Sequence, residues 1–265
     1  MHIDKALTQL AEKQESYSVK LDKTWGQGRT IYGGISAGLV YKAIENEIED
    51  DRMIRSFHCN FIGPLDFEKP IDVTARVIRT GRNVTQLVGE ASQNGQVATM
   101  VQACFGHSRD SKLDLRNNHR HDMPNPKKAK FIPQIPKIVP KFLQHFELSL
   151  EKGALALAGN KDADLFGWSR FKQPPDEMTM AHLITMMDCW PPTMLQMLRI
   201  PAAASTMSWN LEFIHPEIAL DPDGWMASQC SAHHIQDGYG HEEGSFWDKN
   251  GNLIAISRQV VTIFA

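Results

Sequence analysis

The sequence predicts an α+β fold of two tandem units, each an antiparallel sheet wrapped around one central helix. Three observations predict it. The segment Ser56-Phe57-His58-Cys59-Asn60-Phe61-Ile62-Gly63-Pro64 has an echo in Ser208-Trp209-Asn210-Leu211-Glu212-Phe213-Ile214-His215-Pro216. A second echo follows each: Asn94-Gly95-Gln96 leads into an apolar stretch with Gln102, and Asn250-Gly251-Asn252 into one with Gln259. Matches spaced in the same order signal a structural unit used twice. Finally, the order of elements, helix and then several strands, occurs once before each second echo.

Residues 4–14 have helical period, and 17–21 alternate as a strand. Residues 24–34 form a glycine-bearing turn region, and 36–48 read as the first central helix. Small residues at Gly34, Ser36, Ala37 and Gly38 would let other backbone approach its first turn. Strands follow at 54–62, 70–80, 83–92 and 97–105, the last two joined across Asn94-Gly95, a strong hairpin signal. Residues 108–141 carry prolines at 124, 126, 133, 136 and 140 and read as an extended surface linker. The second unit has short strands at 146–150 and 167–171. Its helix at 176–190 stops at Pro191-Pro192, and strands follow at 211–214, 225–233, 239–247 and 253–264. Two sheets joined edge to edge would satisfy exposed strand edges. This is the double hotdog arrangement, with units at 1–107 and 142–265 and the linker at 108–141.

Composition sets bounds. Apolar residues make up 42% and charged residues 22%, enough for a packed core and too apolar for disorder. A net charge of -3 gives no electrostatic footprint for nucleic acid. The four cysteines form no CxxC pair, so neither a zinc site nor a disulfide framework is signalled. No apolar run reaches the ~18 residues of a membrane span, and the N-terminus has no signal-peptide core. A cytoplasmic protein without a membrane partner is expected.

The differences between the copies point to chemistry. With Phe61 laid on Phe213, Thr206 meets Ile54, and the same step back that reaches Asp188 reaches Ser36. The second copy therefore has an acid and a hydroxyl where the first has a small and an apolar residue. Gln102 and Gln259 match if one residue is inserted. An Asp, a hydroxyl and an amide that converge can hold and polarise one water, with Asp188 as general base and Thr206 and Gln259 orienting it. Taken alone, Asp188 is as readily a solvent-facing helix end, Thr206 an ordinary strand residue and Gln259 an edge-strand amide. Their joint placement carries the case.

These residues resemble those of the type II acyl-CoA thioesterases of the double hotdog superfamily. Ser56-Phe57-His58, then Phe61 and Pro64, resembles that family's S-F-H-x-x-F-x-x-P segment, and Gly33-Gly34 its G-G at the first central helix. Asp188 with Pro191-Pro192, then Thr206, then Gln259 resembles its catalytic Asp–Thr–Gln set. Ile214-His215-Pro216 departs from the family's His-Arg-Pro. The resemblance implies an enzyme of fatty acid metabolism that hydrolyses acyl-CoA to acid and CoA. It implies helix-start amides near Gly33 and Gly34 for the oxyanion, a role for His58 beside the substrate, and a homodimer or larger homo-oligomer. No metal or redox cofactor is expected. Arg55, Arg79, Arg82 and Lys127-Lys128 are candidates for the CoA phosphates.

Competing signals are weaker. Gly34-Ile35-Ser36-Ala37-Gly38 fits G-x-S-x-G, a serine hydrolase elbow, but lacks the apolar strand that must precede it. Gly26-x-Gly28 lacks dinucleotide-binding spacing. His119-x-His121-Asp122 reads as a solvated linker cluster, and adjacent His233-His234 point to opposite strand faces. A non-catalytic acyl-CoA-binding protein on the same fold is the reading from another class.

Overall fold

The computed structural model describes residues 1–115, 119–126, 139–217 and 220–265. Its frame is an eleven-stranded sheet with two helices against it. In chain order, α1 (Ile3–Leu7) precedes β1 (Tyr17–Val19) and a small ribbon, β2 (Gly26–Gln27) with β3 (Thr30–Ile31). Then come α2 (Gly33–Glu45), β4 (Met53–Phe61), β5 (Ile71–Thr80), β6 (Val84–Gln93) and β7 (Gln96–Gly106). The second half has β8 (Phe146–Lys152), β9 (Asp164–Phe171), α3 (Met180–Met187), β10 (Ala203–Phe213), β11 (Met226–Gln236), β12 (Tyr239–Trp247) and β13 (Leu253–Phe264).

The sheet order is β1-β5-β6-β7-β4-β10-β13-β12-β11-β9-β8. The four strands after α2 thus run in the mirror order of the four after α3, and β4 meets β10 at the middle. Their register pairs His58 with Asn210, Phe57 with Leu211 and Cys59 with Trp209. The alignment that lays Ser56 on Ser208 also lays His58 on Asn210. Each is the other's cross-strand partner, so a pseudo-two-fold axis passes between them. Both strands also carry a register shift at matching places, between Ile54 and Ser56 and between Thr206 and Ser208.

Turn chemistry sets the hairpins. Asn94 and Gly95 both take positive φ (53° and 74°) between β6 and β7, as a two-residue type I′ turn requires. Asp237 and Gly238 (55° and 81°) do the same between β11 and β12, a D-G signal the sequence carries equally plainly. Asp248 closes the β12–β13 turn by accepting from the N–H groups of Asn250 and Asn252, both at 2.8 Å.

The helices differ from expectation at their ends. α2 begins at Gly33, three residues earlier than the spacing predicts. Gly33 and Gly34 are therefore helical, and their missing side chains serve close approach by α3. A Cβ at Gly34 would collide with the Tyr32 hydroxyl and Thr185 O, and one at Gly38 with Thr185 Oγ1 and Ala181 O. Gly34 faces Thr185 and Gly38 faces Ala181, so the helices run antiparallel, and the Tyr32 hydroxyl donates to Thr185 O at 2.7 Å. α3 is shorter than the predicted 176–190. A capping box of Thr179 and His182 starts it, and it ends at Met187 with Asp188 as C-cap, ahead of the prolines.

Of the expected linker, 108–115, 119–126 and 139–141 are described; in the middle stretch His119 and Asp122 are exposed, but His121 and Met123 turn inward. His121 lies edge-on to Trp168 and Trp247, with ring centroids 5.0 and 5.4 Å away. The indole N–H of Trp247 donates to His119 O and that of Trp168 to Pro124 O, each at 3.0 Å. Two tryptophans on the face away from the helices need cover and N–H acceptors, and this strap supplies both. Residues 127–138, with Lys127-Lys128, lie outside the described residues.

Helix contact through Gly38 is testable. Gly38→Ala would gain ~0.5–1 kcal/mol in helix preference, but overpacking at a tight contact costs about 1–3 kcal/mol. Chemical denaturation is expected to show net destabilisation, partly recovered when Thr185→Ala is added.

Candidate active site

The inner face of the second half is set by strand alternation broken once. On β10, Trp209, Leu211 and Phe213 are buried. Strict period two would turn Met207 inward and Thr206 out. The shift between Thr206 and Ser208 inserts one residue, so Thr206 turns inward and Met207 lies exposed. On β13, Ser257 and Val261 are buried, and Gln259 lies between them on the same face. The Thr206 hydroxyl donates to Gln259 Oε1 at 3.2 Å, which leaves the Gln259 amide N–H groups for a further acceptor.

Asp188 is half-buried at the end of α3. Its carboxylate reaches the start of α2 and accepts the Gly34 N–H; an ideal Cβ on Gly33 would lie 3.1 Å from both Asp188 Oδ2 and the Phe61 ring. The first amides of a helix lack intrahelical acceptors and favour an anion. Burial pushes the Asp188 pKa up to about 7; the Gly34 N–H opposes this, and the Glu242 carboxylate adds to it. Thr206 and Gln259 bond each other, and the Gly34 N–H is the group that steadies the acid.

Glu242 escaped the sequence reading. It stands opposite Gln259 in the β12–β13 register and accepts the Thr193 N–H at 2.7 Å. Burial raises its pKa to about 7 as well. The available signal was alternation: counting back by twos from buried Phe246 passes Gly244 and reaches Glu242.

In the first copy the matching positions are apolar, and one of them, Ile54, lines a crevice of about 270 Å³ with Tyr41, Phe105 and Met180 among others. Ile54 stands where Thr206 does, and by register Ala103 replaces Gln259 and Leu87 replaces Glu242. Two sequence equivalences are thereby corrected. Gln102 pairs with His58 and is exposed on the outer face, so it matches Arg258 and not Gln259; a slip of one residue had reversed its side. Ser36 lies in the first turn of α2, whereas Asp188 follows the last turn of α3, so they are not counterparts either.

The remaining candidates part from the site. Ser36 Oγ donates to Gly33 O at 2.8 Å and shares a bond with Thr99 Oγ1 at 3.1 Å, with no histidine base among these partners. His58 is exposed on the outer face, bonded to Asn210 Oδ1, so it does not stand beside Asp188. Arg55 is spent on Gly106 O and Ser108, and Arg79 and Arg82 are exposed around the β5–β6 turn. Among the described residues, one group, Asp50, Asp51 and His107, has ligand atoms close enough for a metal. Arg52 already donates to His107 and pairs with Asp50 there. No helix of the described residues is long and apolar enough to cross a membrane.

Two family models cover most of the chain: an acyl-CoA thioesterase N-terminal domain over residues 21–106 and a C-terminal domain over residues 118–263. The chain belongs to the acyl-CoA thioesterase family. No curated protein is significantly similar in sequence. Solved structures share its hotdog fold. A conserved protein of unknown function from Alicyclobacillus acidocaldarius is 23% identical, with TM-score 0.85 over 100% of this chain and 99% of that one. A putative thioesterase II from Thermobifida fusca is 18% identical, with TM-score 0.82 over 99% and 97%. An acyl-CoA thioesterase II from Mycobacterium marinum is 16% identical, with TM-score 0.75 over 98% of each chain.

The raised pKa of Asp188 has a consequence for stability. A carboxyl whose folded pKa exceeds its unfolded value binds more protons when folded, so stability falls as pH rises from about 4 through 7. Asp188→Asn removes that cost. The variant is expected to melt above wild type at pH 8, by about 2–4 °C for each kcal/mol relieved, and to converge with it near pH 4 in a calorimetric series.

Proposed function

We propose that the protein is a double hotdog acyl-CoA thioesterase whose water is activated by Asp188 and oriented by Thr206 and Gln259. The observation that carries this reading is a carboxylate of near-neutral pKa, held at the start of α2 by Gly34, on the same inner side as the bonded Thr206–Gln259 pair. Family membership supplies the substrate class. The units are 1–107 and 142–265, and the reading takes the protein as a cytoplasmic homo-oligomer.

In this mechanism the ionised Asp188 takes a proton from water as the oxygen attacks the thioester carbonyl carbon. Thr206 and Gln259 restrict where that water sits, which lowers the entropic part of the barrier. Negative charge develops on the carbonyl oxygen. The Gly34 N–H is occupied by Asp188, so the role moves to the Gly33 amide, with the helix dipole behind it. Collapse breaks the C–S bond, and the proton on Asp188 passes to the departing CoA sulfur. Activity then rises with pH through about 7 as the base ionises.

Release of free thiol from acyl-CoAs of graded length tests this. Asp188→Asn is expected to lower kcat/KM by about 10²–10⁴-fold, and Thr206→Val or Gln259→Ala by up to about 10²-fold. His58→Ala, on the outer face, should leave it within about twofold. Full turnover in Asp188→Asn would overturn the assignment, and loss in Ser36→Ala alone would restore the serine hydrolase. Silence on every thioester, with acyl-CoA still bound, would make the protein a binding module.

A further inference from the structure

We propose that Tyr32 is a positioning residue: its hydroxyl clamps the end of α3 against the start of α2 and so keeps the Asp188 carboxylate on the Gly34 N–H. The proposal rests on the reading of Asp188 as base and names what aims it. Tyr32 is tied to both helices. Through its backbone it opens α2 as N-cap, and its carbonyl accepts the Ser36 N–H at 3.3 Å. Through its side chain it reaches the last turn of α3, where its hydroxyl donates to Thr185 O at 2.7 Å. In a continuing helix Thr185 O would accept the Cys189 N–H. The chain tightens there instead, and that N–H goes to Met186 O at 3.0 Å. A buried carbonyl left over at a helix end needs a partner from elsewhere, and Tyr32 supplies it.

The contacts converge on Gly34. A Cβ on Gly34 would strike both the Tyr32 hydroxyl and Thr185 O, so the clamp closes on that glycine. The N–H of the same residue holds Asp188, and Asp188 Oδ2 lies 3.1 Å from an ideal Cβ on Gly33 beside it. Release of Thr185 O would let the two helix ends part, and the carboxylate with them. Tyr32 also matters for what it does not do. An N-cap side chain usually accepts from the second or third helical N–H. Gly34 is the second, so Ser, Thr or Asp at this place would compete with Asp188 for it. Tyr32 makes no such bond, whereas Thr179, at the start of α3, spends its side chain in its own capping box. Packing aims the hydroxyl across to α3. The ring is buried, stacked on Phe142 with centroids 3.9 Å apart and planes 2° from parallel, and edge-on to Phe146 at 6.2 Å.

Tyr32→Phe deletes the hydroxyl and keeps the ring. In this variant kcat is expected to fall about tenfold with KM little changed, because the base is misplaced and the contacts that bind substrate are not. Carboxyl-carbon NMR titration of the free protein reads the same displacement without any reaction. The Gly34 N–H favours the charged carboxylate, so its loss should raise the Asp188 midpoint by about half a pH unit or more. The acid limb of the kcat profile should move up with it. Phe142→Leu is the control: it loosens the packing of the ring and keeps the hydroxyl. It should lower the melting temperature and leave the midpoint in place. An Asp188 midpoint unmoved in Tyr32→Phe overturns the proposal, as does an unchanged kcat. An equal rise of the midpoint in Phe142→Leu also overturns it, since the effect would then be general loosening. A wild type silent on every thioester, whose midpoint still rises in Tyr32→Phe, keeps the clamp and sinks the thioesterase reading instead.

Discussion

Five cross-strand pairs between β4 and β10, from Ser56–Glu212 to Asn60–Ser208, make two sheets into one. Strand edges left open would be sticky; here each half covers the other's edge. The join also fixes where the helices lie. Phe57 and Trp209 are buried on the inner side and meet edge-on at 5.8 Å, while His58 and Asn210 meet on the outside. Once that register is set, α2 and α3 are brought together antiparallel, and the start of one reaches the end of the other. The bond from Gly34 to Asp188 is a product of that arrangement.

Much of this was legible in the sequence because it follows from local pattern. Asn94-Gly95 and the alternating strands gave the hairpins, and the echo about Phe61 and Phe213 led to the register axis. Asp188 and Thr206 stood out as differences between the copies, and Gln259 through its resemblance to a catalytic Asp–Thr–Gln set. What stayed hidden depended on events that pattern does not encode. A bulge decides whether Thr206 or Met207 faces inward, and no residue type announces it. Gln102 seemed to match Gln259 because one residue of slip is invisible in a list of letters but reverses a side chain in a sheet. Glu242 is the exception, since alternation back from Phe246 reaches it.

Glycine shows the same limit from another side. Gly33 and Gly34 close the expected turn region, with close backbone approach expected at Gly34. In the structure both already belong to α2, and at Gly34 the Tyr32 ring and Thr185 O fill the space a side chain would need. His119 and His121 suggested a wet linker, and they cover two tryptophans. In both cases the residue's meaning was set by a partner more than a hundred positions distant in some contacts, such as Tyr32 with Thr185.

The candidate site draws on both halves: the amide at Gly34 comes from the first, and Asp188, Thr206, Gln259 and Glu242 come from the second. A single half that paired with a copy of itself through β4 would therefore own two such crevices, each completed by its neighbour. Tethering the copies in one polypeptide breaks that obligation of sameness. One half can then keep the acids and the other can trade them for Ile54, Leu87 and Ala103 without destroying both crevices together. The asymmetry between Glu242 and Leu87 is a freedom that gene duplication and fusion allow and that a symmetric dimer cannot reach by any single substitution.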